Sequence, residues 1–403
     1  MALTDGGLIK VNGSPTSGRQ YMENAVADTD YQSVLAEGAF ADGDKTKLDS
    51  LSAGGGGFAP AAVTDVSTAQ TWTTGNLGNM YRFTTSVASD LVNTLPSVGA
   101  SEDANFLWVE NGSIYKITVN SSDSDYFANW PELTVKGIDV MPGATVLLMY
   151  DDTSTRWKIL AKTGSGKVWV AGTMLYLDDR RLGDWGDDNN QKIWDATGRH
   201  AMYATISGSQ YVGQSKFGQI GNQAGVLYNG SADYLLDGDS SDWDICSNTG
   251  NIVTADVWAK FDNTASAQEW VFGQYGGASA RWHLSRTAAG AFNFYYFTAT
   301  TALNATGGTL NASTWYHLAF ILDGSGIGGI YVDGVQVGFD NSWTAGTIAG
   351  NFYVGQYGTA SGYFDGTLND LGVCMHNIYN ATPNTTPDDS FTPPTKPKDL
   401  VIY

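Results

Sequence analysis

The sequence predicts an all-β protein: a small β-sandwich, then a larger sandwich, behind an extended or short-helical N-terminal segment. Three observations carry this reading. Only 15% of the 403 residues are charged and 49 are glycine, where an average domain has about 25% charged residues and about 7% glycine. Apolar residues recur in short runs with period two, which places alternate side chains on one face of a strand. Turn dipeptides such as Asn111-Gly112 and Asp333-Gly334 punctuate these runs, and no stretch sustains a long helical period.

Residues 1–57 are polar. They hold the turn pairs Gly6-Gly7, Asn12-Gly13 and Ser14-Pro15, a weak helical pattern around Tyr31, Val34 and Leu35, and the linker Gly54-Gly55-Gly56-Gly57. Too few apolar residues are present to bury a core, so this segment is expected to gain order only against partner chains. Residues 58–164 read as the small β-domain. Tyr81-Arg82-Phe83, residues 106–109 and residues 114–119 are strands, with Asn111-Gly112 joining the last two as a hairpin. Residues 145–150 and 156–160 form a second strand pair around a polar turn.

Residues 165–403 repeat this character on a larger scale. IVTADVWAKF (252–261) sets Val253, Ala255, Val257, Ala259 and Phe261 on one face, and TWYHLAFIL (314–322) does the same with Tyr316, Leu318, Phe320 and Leu322. Asp333-Gly334 joins two strands as a two-residue turn, and residues 352–357 read as one further strand. Short strands recurring in this way indicate a sandwich or jelly roll. The tail 382–399, with Pro383, Pro387, Pro393, Pro394 and Pro397, cannot be a central strand and is expected to lie extended on the surface.

The 21 basic and 41 acidic residues give a net charge of −20. Such a body repels phosphate, which argues against nucleic acid and against anionic membrane surfaces. No run approaches the ~18 apolar residues of a membrane span. MALTDGGLIK has no apolar signal-peptide core, so no secretory signal is expected. Cys246 and Cys374 are too few for a disulfide framework and read as buried thiols.

Five pieces of the C-terminal region resemble the concanavalin A-like, laminin-G-type jelly-roll superfamily, in that superfamily's order. They are residues 227–235 (LYNGSADYL), 252–261, 314–319 (TWYHLA), 330–337 (IYVDGVQV) and 363–371 (YFDGTLNDL), with Asn369 where an aspartate is usual. The first two regions resemble bacteriophage fibres. Residues 44–49 (DKTKLD), continued by Ser52-Ala53-Gly54, are similar to a segment that recurs in tail-fibre stems, with Ser50 in place of its glycine. Asn93-Thr94-Leu95-Pro96, then residues 107–111, 117–120 and 156–160, resemble a small β-domain of phage fibres and spikes. The resemblance implies a homotrimer on a virion, held to other virion proteins through residues 1–57.

The jelly-roll superfamily includes glycoside hydrolases, which need two carboxyl groups across the glycosidic bond. Glu269 is the one glutamate after residue 164, and no E-x-D-x-x-E string, G-x-S-x-G elbow or H-E-x-x-H helix occurs. The reading is therefore a binding protein and not an enzyme. His317, on a strand with core-like neighbours, reads as a structural residue. Two Asp-rich loops stand out, 184–190 (DWGDDNN) and 237–244 (DGDSSDWD). Asp237, Asp239, Asp242 and Asp244 could supply oxygen ligands to calcium, or could be turn residues that bond their own backbone. Trp185 and Trp243, with Asp187 and Asp188, could form a platform for a sugar ring, and each Trp is equally a core residue. Tyr295, Tyr296 and Tyr357 read as strand packing. The function expected is a virion fibre that binds a host cell-surface glycan. The alternatives are a structural head fibre or capsid decoration protein, and a fibre-borne polysaccharide depolymerase.

Overall fold

The computed structural model describes residues 3–4, 8–11, 14–16, 60–98, 105–122, 126–130, 133–151, 156–177, 192–197, 199–205, 225–298, 301–359, 361–398 and 400–402. The architecture is all-β. Near the N-terminus, Leu3–Thr4, Leu8–Val11 and Ser14–Thr16 pair antiparallel. The helical pattern at 20–53 lies outside the described residues.

The first unit is a sandwich of two sheets. One contains, in spatial order, Val63–Val66, Met80–Phe83, Phe106–Asn111, Ala144–Asp151, Arg156–Gly164 and Tyr126–Phe127. The other contains Leu91–Thr94, Ile117–Asn120, Gly137–Val140 and Val168–Val170, with Val401–Ile402 at its edge. The hairpin expected at Asn111-Gly112 does not form, because its two strands belong to different sheets. The Asn111 side chain is buried, donating to the carbonyls of Tyr115 and Val140 and accepting from Ser113. It pins a crossover between sheets, and Ile114 stands 78% exposed on that crossover. The pair at 144–164 does form an antiparallel ladder.

The second unit is the larger sandwich. Thr173–Tyr176, Asp365–Cys374, Ile252–Phe261, Trp315–Asp323, Gly328–Val332 and Val335–Asp340 make one sheet, with Val226–Asn229 also paired to Asp365–Cys374. The facing sheet runs Lys192–Trp194, Ala201–Thr205, Tyr234–Asp237, Asn351–Val354, Glu269–Gly277, Ala280–Arg286, Phe292–Thr298 and Thr301–Gly307. The alternating residues of 252–261 and 315–323 fill the core between them, against Phe272, Trp282, Phe294 and Phe352. Asp333 (φ 51°) and Gly334 (φ 77°) make the expected hairpin turn. The strand expected at 352–357 ends at Val354, where Gly355 (φ 82°) turns the chain.

A division of the chain at residue 165 cuts through a sheet. Val168–Val170 pairs with Gly137–Val140 of the small unit, and Val401–Ile402 returns from the far end of the chain to pair with it. The proline-rich tail lies extended at the surface but is anchored. Most of its described residues are exposed or half-buried and none lies in a strand, as expected, but Pro383, Pro394 and Lys398 are buried. Ile378, Tyr379, Ala381 and Leu400 on either side of it pack with Ala319, Ile321 and Tyr331 on the outer face of the larger sandwich's first sheet. That sheet is therefore covered on both faces.

The polar groups trapped on this covered face bond to one another. Lys398 Nζ lies 2.8 Å from Asp256 Oδ2 and 3.3 Å from Asp370 Oδ2, with all three side chains nearly inaccessible. Tyr379 donates to Asp256 at 2.6 Å, Tyr176 donates to Asp370 at 2.9 Å, and His317 Nε2 sits 3.0 Å from Asp256. Asp370 occupies the left-handed region (φ 56°) at an irregularity in the ladder, which turns its carboxylate toward Lys398. Burial lowers the pKa of His317 and outweighs its bond to Asp256. Removing the cation should leave two carboxylates buried without it. Lys398→Met should cost about 3–5 kcal/mol in urea denaturation, and adding Asp256→Asn and Asp370→Asn should recover much of that loss.

Candidate functional site

With one sheet of the larger sandwich covered, its partner carries the open face. Register brings one row of side chains across that face: Tyr203, Leu236, Tyr353, Gly273, His283, Tyr295 and Asn304. The adjacent row holds Asn351, Tyr275, Arg281 and Phe297. Their neighbours in sequence, Trp282, Leu284, Phe294 and Tyr296, point the other way into the core.

The rows meet in an aromatic cluster around one guanidinium. Arg281 Cζ lies 4.9 Å from the Tyr295 ring centroid, 5.7 Å from Phe297 and 5.9 Å from Tyr357. Tyr357 packs against Tyr275 at 4.9 Å and edge-on to Trp270 at 4.4 Å. Trp270 stacks on His283 at 4.0 Å. Trp270 and His283 are buried, while Arg281, Tyr275, Tyr295, Phe297 and Tyr357 are each half-buried, which leaves part of each for a ligand. Burial and the nearby Arg281 charge hold His283 neutral, and Gln268 bonds its Nε2 at 3.1 Å. Two glycines make the close approach possible. A Cβ on Gly273 would stand 2.1 Å from the Trp282 carbonyl, and one on Gly358 would stand 2.3 Å from the Tyr275 ring.

Residues 229–377 match the Laminin_G_3 family of the concanavalin A-like lectin/glucanases superfamily. The C-terminal domain is concanavalin A-like. A comparison with curated proteins found no match. Among solved structures, domain 4 of AbnA, an extracellular GH43 arabinanase from Geobacillus stearothermophilus in complex with arabinotriose, is 16% identical, with 52% of this chain and 94% of that one covered and a TM-score of 0.35. Trypanosoma rangeli sialidase is 13% identical over 51% of this chain and 31% of its own, with a TM-score of 0.37. The binding domain of botulinum neurotoxin DC in complex with SialylT is 8% identical over 51% and 48%, with a TM-score of 0.36.

The concanavalin A-like domain disposes differently of the residues singled out in the sequence. Trp243 is no sugar platform. It is 0% exposed, its ring stacks on Phe352 at 4.2 Å and lies 4.1 Å from the His200 ring, and its indole N–H donates to the Gly238 carbonyl. Trp185, Asp187 and Asp188 lie outside the described residues. The four aspartates of 237–244 do not converge. Asp237 and Asp242 hold His200 at 2.7 and 3.1 Å, Asp242 also pairs with Arg199 at 2.6 Å, Asp239 accepts from the Gly350 N–H, and Asp244 accepts from the Ile348 N–H. This divergent set does not fit calcium, which needs six to eight oxygens on one centre. Among the described residues, no group of three or more His, Cys, Asp and Glu is placed to hold a metal. Glu269 pairs with the buried Arg286 at 2.6 Å and accepts from Asn263.

Tyr295 and Tyr357, which read as strand packing in the sequence, lie half-buried in the aromatic cluster, Tyr296 does pack in the core, and neither Tyr275 nor Arg281 stood out. FNFYYFT (292–298) is aromatic at nearly every position, so its alternation is masked. The one legible signal was ARWHLSR (280–286), where Arg281, His283 and Ser285 alternate with Trp282 and Leu284. Tyr357 reaches the face from a turn after the strand has ended, which strand periodicity cannot show.

Two outcomes test this geometry. Burial opposes charge on His200, but the bonds to Asp237 and Asp242, with their charge and that of Asp195, outweigh it and lift its pKa from 6.5 to about 9. A raised folded pKa contributes stability that is complete below the unfolded value and lost as pH rises through the folded one. The melting temperature should therefore fall between pH 6.5 and about 9, and His200→Gln should flatten that slope. Gly358→Ala should displace Tyr275, seen as a changed tyrosine near-ultraviolet circular dichroism signal with far-ultraviolet signal retained.

Proposed function

We propose that this chain is a bacteriophage fibre protein whose concanavalin A-like domain binds a host cell-surface glycan through the Tyr275, Arg281, Tyr295 and Tyr357 face. The observation that carries the proposal is the half-buried aromatic cluster on the sheet face that the described residues leave open. Sugar rings present C–H faces that stack on aromatic rings, and their hydroxyls take up hydrogen bonds from polar side chains beside them. Tyr hydroxyls, Asn304 and the Arg281 guanidinium supply such partners.

The fibre assignment is supported by the sequence: the stem-like segment at 44–54 and the small β-domain motifs at 93–160. In this reading residues 1–57 dock to other virion proteins, and the chain acts as a homotrimer on the virion. Each site then binds weakly, and simultaneous engagement raises overall avidity by about 10²–10⁴. The reading is of binding without hydrolysis, since Glu269 is engaged by Arg286 and Asn263 and the neighbouring Asp365 also bonds Asn263.

The test uses the full chain. Purified protein should slow phage adsorption to host cells, and removal of surface polysaccharide from the cells should abolish its binding. Tyr295→Ala and Tyr357→Ala should each weaken cell binding by about 30-fold, the size of a stacking hot spot of about 2 kcal/mol, with the melting temperature held. Unchanged binding by both variants would exclude this face, and unchanged binding to stripped cells would exclude a glycan.

A further inference from the structure

We infer that the saccharide bound at this face carries a carboxylate, and that Arg281 reads it. This rests on the glycan-binding proposal and narrows it to acidic sugars. The inference begins from an imbalance of charge. The chain has 41 acidic residues against 21 basic ones, so acids outnumber bases about two to one. The other described arginines of the larger sandwich each hold an acid: Arg199 holds Asp242 and Arg286 holds Glu269, both at 2.6 Å.

Arg281 does not. Among the described residues no carboxylate lies within salt-bridge distance of it. Its Nη1 donates to the Ala278 carbonyl, and its Nε finds no acceptor. What surrounds it is aromatic: Tyr295, Phe297 and Tyr357 within 4.9–5.9 Å of Cζ. Ring faces attract a cation without neutralising it, and they fix its plane. The guanidinium is thereby positioned while its charge stays unspent. A planar, fixed guanidinium matches a carboxylate better than it matches a sugar hydroxyl. The adjacent rings then hold the pyranose while the guanidinium takes the acid group.

His283 strengthens the point. It stacks under Trp270 beside Arg281 and is kept neutral by burial and by the Arg281 charge. Arg281 is thus the sole described cation of the cluster, set in a protein whose net charge otherwise repels anions. Specificity follows by difference: a neutral sugar leaves the guanidinium without an acid partner, and an acidic one does not.

The experiment titrates the full chain with two matched pairs, by calorimetry at low ionic strength. One pair is a hexuronate oligosaccharide and its carboxyl-reduced form. The other is sialyllactose and lactose. The acid member of at least one pair should bind at least about tenfold tighter than its neutral partner, the size expected for a charge-assisted bond, and added salt should narrow the gap. Which pair shows the difference tells hexuronate from sialic acid. Arg281→Gln should bring the acid member down to the neutral one. Arg281→Lys, which keeps the charge and loses the plane, should restore part of the difference and guards against a folding defect in Gln. Equal binding within both pairs overturns the carboxylate inference and leaves the glycan proposal standing. So does an acid preference that survives Arg281→Gln. No binding by any of the four probes also overturns it, and the glycan proposal then stands or falls on the stripped-cell result.

Discussion

The structure depends on one constraint: the first sheet of the larger sandwich has no face in water. Inward, its strands meet the aromatic core. Outward, they lie under the C-terminal tail and beside the small unit. A charge on the outward face needs a partner inside the protein, because an unpartnered buried charge costs several kcal/mol. Lys398 answers this for Asp256 and Asp370 together. It comes from the tail, three residues before the strand that closes the small unit's sheet. One side chain thus ties the chain's last segment to strands 252–261 and 365–374, and the sheet pairing of Val168–Val170 with Val401–Ile402 ties that segment to the small unit.

The covered sheet decides where function can lie. A sandwich with both outer faces in water offers two candidate surfaces, and this one offers the face of the second sheet. Residue usage on the two outward faces differs accordingly. The covered face is furnished with groups that bond to one another, His317, Asp256, Tyr379 and Lys398, with Asp256 Oδ1 and His317 Nδ1 left without a hydrogen-bond partner among the described residues. The open face is furnished with groups that do not: Tyr275, Tyr295 and Phe297 keep part of their rings free, and Arg281 keeps its charge. An aromatic surface that folding does not require is what the proposed glycan-binding function calls for.

Much of the fold was legible because it rests on period-two alternation. IVTADVWAKF and TWYHLAFIL place their core residues as expected, and Asp333-Gly334 makes its turn. Four of the five laminin-G-like pieces lie within the family match over residues 229–377, and the first, 227–235, overlaps its start. What was not legible depends on which elements meet across long distances in sequence. Asn111-Gly112 has hairpin chemistry, but the Asn111 amide serves a carbonyl at Val140 instead. The prolines of the tail mark it as no central strand, and nothing in their pattern says that Lys398 will be buried. Trp243 illustrates the same limit: an Asp-rich, turn-like context suggests a surface loop, yet the aspartates face a histidine and an arginine that lie about forty residues upstream, and the ring completes the core. The aspartates offered for calcium are engaged in the same way: Asp237 and Asp242 on His200, Asp239 on the Gly350 N–H and Asp244 on the Ile348 N–H.

Arg281 also resolves a difficulty that the open face creates. Contiguous exposed aromatic surface invites association between copies, and soluble chains keep such patches to a few hundred Å². Here the rings are half-buried against one another and divided by a cation. The guanidinium over Tyr295, Phe297 and Tyr357 interrupts the apolar surface where those three rings converge. A second copy docking face to face would have to bring two such cations together, which repel. An acidic sugar meets the opposite situation, finding rings for its apolar face and an unpaired charge for its carboxylate. On the proposed reading, the residue that would oppose face-to-face association of two copies is the one that would take a saccharide's carboxylate.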